Sequence, residues 1–188
     1  LLYSETLTAW GACRSIIDDV WMLPGYNAEK KLVTLYRWLP DHTGKKRLLA
    51  TSELGHGMFM PTLSFDPKRK EILICEGPWD GMVLWELDKK RNVIAVPGCN
   101  VFAPSWLPLF GGKAVTFLFD NDHPREVKGK PVSGGALAGA RRAAKLLATT
   151  KPPPKAVLWL KWGEDGYNLG LTTGFDVRDR LTIGLNPS

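Results

Sequence analysis

The chain has 188 residues, 44% of them hydrophobic, and its 8 Trp and 7 Phe supply a real interior for one compact α/β domain with an appended lobe. Its 25 Lys and Arg exceed its 19 Asp and Glu, a net +6 that suits a polyanionic partner, while no apolar run reaches the ~18 residues of a membrane span. Cys13, Cys75 and Cys99 are odd in number, widely spaced and without a CxxC pair, which argues against a zinc site or a disulfide scaffold and fits a reducing cytoplasm.

The sequence opens on Leu1 rather than Met and without the basic start of a signal peptide, as expected for a piece of a longer protein. Ser4 is placed to cap a short helix running through Leu7 and Trp10 to Gly11. WMLP (21–24) then begins a strand, a turn follows over 25–27, and KKLVTLYRWLP (30–40) is extended. The polar stretch DHTGKK (41–46) turns the chain back into RLLA (47–50). That hairpin puts Val33, Leu35 and Arg37 on one side and Thr34, Tyr36 and Trp38 on the other. Residues 1–65 read as a small mixed α+β lobe.

Beyond the breaker segment 66–70 the rhythm changes. Four short, nearly continuous apolar runs follow: EILICE (71–76), NVIAVP (92–97), AVTFLFD (114–120) and AVLWLKW (156–162). Continuous runs mark strands covered on both faces. Helical stretches over 79–88 and 135–148 alternate with them, which predicts a mostly parallel central sheet flanked by helices over 66–188. Three prolines at 152–154 form a rigid spacer into the last strand.

Ligands of such a sheet gather outside the carboxyl ends of its strands. Glu76 ends EILICE, with Asp80 just after it, and Asp120 and Asp122 end AVTFLFD. Carboxylates crowded on one rim repel one another, and a divalent cation relieves that cost. Mg²⁺ takes hard oxygens from one or two carboxylates and from substrate phosphates, and two such ions stabilise both oxygens of a phosphoryl transfer. Taken singly, Asp80 or Asp122 also serves as a plain helix N-cap.

EGPWD (76–80), followed 44 residues after Glu76 by the Asp-x-Asp of FDND (119–122), resembles the Toprim signature of bacterial and phage-type primases, topoisomerases, OLD-family nucleases and RecR-like repair proteins. The Ala-rich GALAGARRAAKLL after it is similar to the helix that follows this motif in primases. GFDVRDRL (174–181) resembles their Asp-x-x-Asp segment, and SETLTAWG, LPGYN and KLVTLYRW resemble the lobe that precedes Toprim in phage and plasmid primases. The stretch HPREVKGKPVSGG (123–135) is longer than the family's usual spacing, and no Cys/His zinc module or helicase motif is present.

The resemblance implies a Toprim fold preceded by the 1–65 lobe. It also implies a metal-dependent primase core that makes short RNA primers on single-stranded DNA from nucleoside triphosphates. Glu76, Asp120 and Asp122 are then catalytic. The same three, with Asp80, Asp176 and Asp179, hold Mg²⁺ or Mn²⁺, two ions in all. Arg37, Lys45, Lys46 and Arg47 face the template or the nucleotide, or stay as solvated hairpin charge. A replicative helicase in the same or another chain is an implied partner, and a membrane is not. Two alternatives share the residues: a Toprim nuclease or strand-passage enzyme that cleaves phosphodiesters, and a non-catalytic nucleic-acid-binding module.

Other residues read more plainly. Trp79 packs on the sheet or stacks on a base, and His123 is better placed than His56 to assist a phosphate. Arg141, Arg142 and Lys145 form a solvated helix side, and Trp85, Trp106, Trp159 and Trp162 belong to the core or its edge.

Overall fold

The computed structural model describes residues 2–40, 46–51, 54–128, 130–132, 134–165 and 167–185. Helix α1 (Ser4–Ala9) leads into β1 (Cys13–Arg14), β2 (Trp21–Tyr26), β3 (Leu32–Pro40) and β4 (Lys46–Ala50), which form an antiparallel sheet in that order. Tyr3, not Ser4, occupies the cap position of α1, and it contributes no side-chain cap. Thr34 and Tyr36 face inward from β3 while Leu35 and Arg37 face outward, the alternation the sequence predicts.

The expected turn at 25–27 is a correction. Gly25 lies inside β2, paired with Thr34, and the register shifts at Gly25/Tyr26. Glycine is needed there for close approach rather than for a turn. A Cβ on Gly25 would sit 2.6 Å from Thr34 Cγ2 and 3.2 Å from Gly57 Cα. The chain turns over 27–31 instead, where the Asn27 side chain accepts from the amides of Glu29 and Lys31.

The second half begins with β5 (Glu71–Glu76), α2 (Pro78–Leu87) and β6 (Val93–Val96). A 3-10 helix (Pro104–Phe110) leads to β7 (Ala114–Leu118), and the hairpin β8 (Arg125–Val127) and β9 (Lys130–Val132) follows. Helix α3 (Gly135–Leu147), β10 (Ala156–Trp159) and α4 (Val177–Leu185) complete it. The strands form a parallel sheet in the order β10-β7-β5-β6. Ile72 and Ile74 pack with Val115, Phe117 and the Ala-rich side of α3 on one face. Cys75, Val93 and Ala95 pack with Met82 and Trp85 of α2 on the other. The continuous apolar runs of β5, β6 and β7 arise from this covering of both faces, whereas β10 is a correction: at the sheet edge it leaves Leu158 and Trp159 exposed.

Met58 and Phe59 join the two sheets. Tyr26 and Met58 exchange both backbone hydrogen bonds, as do Phe59 and Ala95 of β6. Trp10, Leu23 and Tyr36 of the first half share a core with α2, and Met58, Met60 and Phe65 share one with α3. None of the helices in the described residues is long and apolar enough to cross a membrane.

Candidate active site

Connectivity decides where a ligand can enter. From β5 the chain crosses over one face to β6, and from β7 it crosses over the opposite face to β10, so the winding reverses between the adjacent strands β5 and β7. The crevice at the carboxyl ends of two such strands is where open α/β sheets bind ligands. Glu76 is the last residue of β5, and Asp120 lies two residues past the end of β7.

Gly77 (φ +82°) makes the sharp exit from β5, a conformation glycine adopts without strain, and Pro78 starts α2. That turn sets Asp80 in the first turn of α2, where it is buried. Asn121 fixes the other side. It is fully buried, its Oδ1 accepts from the Asn168 amide (2.7 Å), and its Nδ2 donates to the carbonyls of Asn168 (2.9 Å) and Thr172 (3.2 Å). Its backbone pairs with Phe175, and so delivers Asp176 to the rim.

Five of the six predicted carboxylates act on one another. Burial and the neighbouring charges of Glu76, Asp80, Asp176 and Asp122 push the Asp120 carboxyl up to about 9. Burial raises Asp80 to about 7, with Arg178 opposing the rise and Asp176 and Glu76 adding to it. Glu76 is raised by burial and by Asp122, against hydrogen bonds from the Cys99 amide and thiol. Its Oε2 is buried with no hydrogen-bond partner. Cys75, beneath the rim, is driven well up by burial and by Asp80 and Asp120.

The sixth, Asp179, is exposed and does another job. Its Oδ2 accepts from the Asp176 amide (3.1 Å) while Asp176 Oδ1 accepts from the Asp179 amide (2.9 Å). This reciprocal pair is a capping box at the start of α4. Asp122 also caps, its Oδ2 accepting from the Ala136 amide of α3 (2.8 Å).

Sequence reasoning missed Arg178. Its Nε donates to Asp80 Oδ1 (2.6 Å) and its Nη2 to Asp176 Oδ2 (2.5 Å). The signal was an Arg between two Asp in the segment FDVRD, read only for its acids. With Asp80 and Asp176 met by Arg178, the rim carboxylates that form no ion pair among the described residues are Glu76, Asp120 and Asp122. No three His, Cys, Asp or Glu side chains among those residues are grouped to hold a metal as they stand. Glu76, Asp120 and Asp122 nonetheless offer the hard oxygens that a divalent cation takes.

Three of the basic candidates belong to strands of the antiparallel sheet. Arg37 pairs with Asp18 on the face of β3 opposite Trp38, and Trp38 packs edge-on against Trp79. Lys46 and Arg47 are residues of β4, paired with Pro40 and Leu39. Lys45 lies outside the described residues. Trp79 packs against Trp21 and Trp38, both at 5.6 Å. His123 accompanies Asn121 and Asn168 rather than the carboxylates.

No family model and no curated protein matches the sequence. Solved structures do match it. The primase fragment of the bacteriophage T7 primase-helicase aligns over 97% of this chain and 66% of its own, at 14% identity and a TM-score of 0.60. A DnaG catalytic core aligns over 97% and 65%, at 12% identity and 0.63. A T7 assembly, in which the lagging-strand DNA polymerase interacts with primase domains of two gp4 subunits bound to an RNA/DNA hybrid and dTTP, aligns over 98% and 83%, at 16% identity and 0.63. The chain thus spans just under two thirds of the length of the T7 fragment and of the DnaG core. Across these comparisons its mixed α/β architecture has the fold of primase catalytic cores.

Proposed function

We propose that the chain is the catalytic core of a DNA primase, making short RNA primers on single-stranded DNA by metal-dependent nucleotidyl transfer. The observation that carries this reading is the meeting of Glu76 and Asp120, two half-buried carboxylates with no ion pair among the described residues, at the switch point of a primase-type sheet. The Toprim resemblance of EGPWD and FDND supports the same assignment.

In this reading residues 1–65 form the lobe facing template and nucleotide, and 66–188 the catalytic domain. Glu76, Asp120 and Asp122 hold Mg²⁺ or Mn²⁺, with Asp80, Asp176 and Asp179 in support of a second ion. The orphaned Oε2 of Glu76 and the raised Asp120 carboxyl fit that role, because both are groups a cation would satisfy. Bound there, such ions neutralise charge at the reacting phosphate.

A primer 3′-hydroxyl attacks the α-phosphate of a nucleoside triphosphate and pyrophosphate leaves. The chain's own residues position and exclude. Burial keeps a proton on Asp120 at neutral pH until the site is loaded. Arg178 holds Asp80 and Asp176 in fixed orientation, so that the rim is organised before substrate arrives. Arg37, Lys45, Lys46 and Arg47 are assigned to phosphates of template or nucleotide. The RNA/DNA hybrid and dTTP of the T7 neighbour support nucleic acid and nucleotide as ligands. A replicative helicase is the partner this role calls for.

The test is incubation with single-stranded DNA, Mg²⁺ or Mn²⁺ and labelled ribonucleotides. Short template-dependent products are expected, and they should vanish in Asp120→Asn/Asp122→Asn while the fold persists. Loss of the input strand without products would point to a nuclease instead. Activity that survives the double change would overturn the site.

A further inference from the structure

The end of the parallel sheet opposite the carboxylates carries charge of the other sign. Two segments meet there, 66–71 entering β5 and 88–92 entering β6. They enclose a cavity of about 380 Å³ lined by Lys68, Arg69, Lys70, Glu71, Lys90 and Arg91.

The pocket is built rather than incidental. Buried Asn92 ties the two segments together, its Oδ1 accepting from the Asp66 amide (3.0 Å) and its Nδ2 donating to the Asp66 carbonyl (2.7 Å). Asp66 and Asp88 each turn their segment by accepting from an amide two residues on, that of Lys68 (2.9 Å) and that of Lys90 (3.0 Å).

Its charge is only partly answered. Arg91 Nε reaches Asp88 at 3.1 Å, and Arg69 Nε lies 3.9 Å from Asp66. Lys68, Lys70 and Lys90 form no ion pair among the described residues, and Arg69 Nη1 is buried without a hydrogen-bond partner. Five cations against the three carboxylates of Asp66, Glu71 and Asp88 leave an excess that repels itself unless an anion joins it. A guanidinium N–H lacking an acceptor is met best by a charged oxygen.

We propose that this pocket is a phosphate-binding site occupied by the backbone of a nucleic-acid strand. Only the choice of a strand rests on the primase reading; the pocket's chemistry does not. No aromatic side chain lines it, so it contacts phosphates without stacking on or reading bases. The six residues of β5 separate it from the carboxylate rim by roughly 20 Å. It therefore grips a stretch of strand distinct from the one at the reacting centre.

The experiment compares the full chain with its Lys68→Ala/Lys90→Ala variant. Both side chains are exposed, so folding is preserved. The probes are a labelled single-stranded oligonucleotide, ATP and inorganic pyrophosphate, each titrated at several salt concentrations. The expected result is about tenfold weaker oligonucleotide binding at low salt, with the slope of log K against log salt reduced by about 1.4 for two lost contacts. ATP and pyrophosphate affinities should not change.

If the variant loses ATP or pyrophosphate binding but keeps the oligonucleotide, the pocket takes free phosphates and the strand assignment falls. If none of the three affinities moves, the pocket is not a phosphate site. If the unaltered chain makes no primers while the variant still shows the expected oligonucleotide loss, the primase reading falls and the pocket stands.

Discussion

Arg178 bridges Asp80, at the start of α2, and Asp176, at the start of α4, through two charge-assisted hydrogen bonds of 2.6 and 2.5 Å. Arg178 and Asp80 stand 98 apart in sequence, so this one guanidinium ties the final helix to the first crossover of the sheet. Both carboxylates are nearly buried, while a third of the arginine side chain stays exposed.

Removing the guanidinium leaves two buried carboxylates facing each other. Arg178→Ala is expected to cost roughly 2–3 kcal/mol at neutral pH, below the loss for a fully buried pair because the arginine is partly solvated. At about pH 2.5 Asp80 is neutral both in the folded chain, where it titrates at about 7, and in the unfolded chain, where it titrates near 3.8, so the difference should shrink. Urea denaturation of both proteins at the two pH values measures it. An equal loss at both would show that packing, not charge, is what Arg178 supplies.

The rim also sets a pH dependence. Asp120 at about 9 and Asp80 at about 7 bind protons more tightly folded than unfolded, where both sit near 3.8. Between about pH 4 and pH 9 the native state holds more protons, so stability with a chelator present falls as pH rises. Asp120→Asn should flatten that fall above neutral pH. Mg²⁺ should restore stability at alkaline pH and release protons on binding near pH 7. Melting scans with and without chelator measure the first effects, and calorimetry in two buffers the last. A flat profile in chelator would contradict the electrostatic picture of the rim.

Strands β5, β6 and β7 were legible because packing from both faces makes an apolar run the pattern compatible with burial, whereas β10, read from the same kind of run, is an edge strand that leaves Leu158 and Trp159 exposed. The carboxylates were legible because connectivity sends the ends of β5 and β7 to one crevice. What sequence could not disclose depends on distant partners. Gly25 reads as a turn until Gly57 is seen against it. Arg178 reads as surface charge until Asp80 appears 98 residues away. Asn121, between the two aspartates of FDND, reads as a spacer although it anchors the loop over 168–175. The 3-10 helix over Pro104–Phe110 escaped because its two prolines suggest loop, yet it buries Trp106 and Phe110.

Trp79 is a structural joint between the halves. Its ring meets the edges or faces of Trp21 and Trp38 at 5.6 Å, tying α2 to β2 and β3. Trp79→Ala should cost about 3 kcal/mol and Trp79→Phe about 1, read from urea midpoints and the change in tryptophan fluorescence. Loss of oligonucleotide affinity without loss of stability would instead assign the ring to base stacking.

Asp122 carries two duties that two substitutions separate. Its Oδ2 caps α3 through the Ala136 amide, and close packing enforces the contact, since a Cβ on Gly134 would lie 1.9 Å from the Asp122 carbonyl oxygen. Asparagine keeps a cap oxygen but loses the charge; alanine loses both. Asp122→Ala should therefore cost about 1 kcal/mol of stability together with divalent-cation binding. Asp122→Asn should lose cation binding with little change in the chelated protein. Denaturation in chelator isolates the cap, and Mn²⁺ binding followed by electron paramagnetic resonance isolates the charge. Equal Mn²⁺ affinity in Asp122→Asn and the parent chain would remove Asp122 from the metal set and leave it as a cap alone.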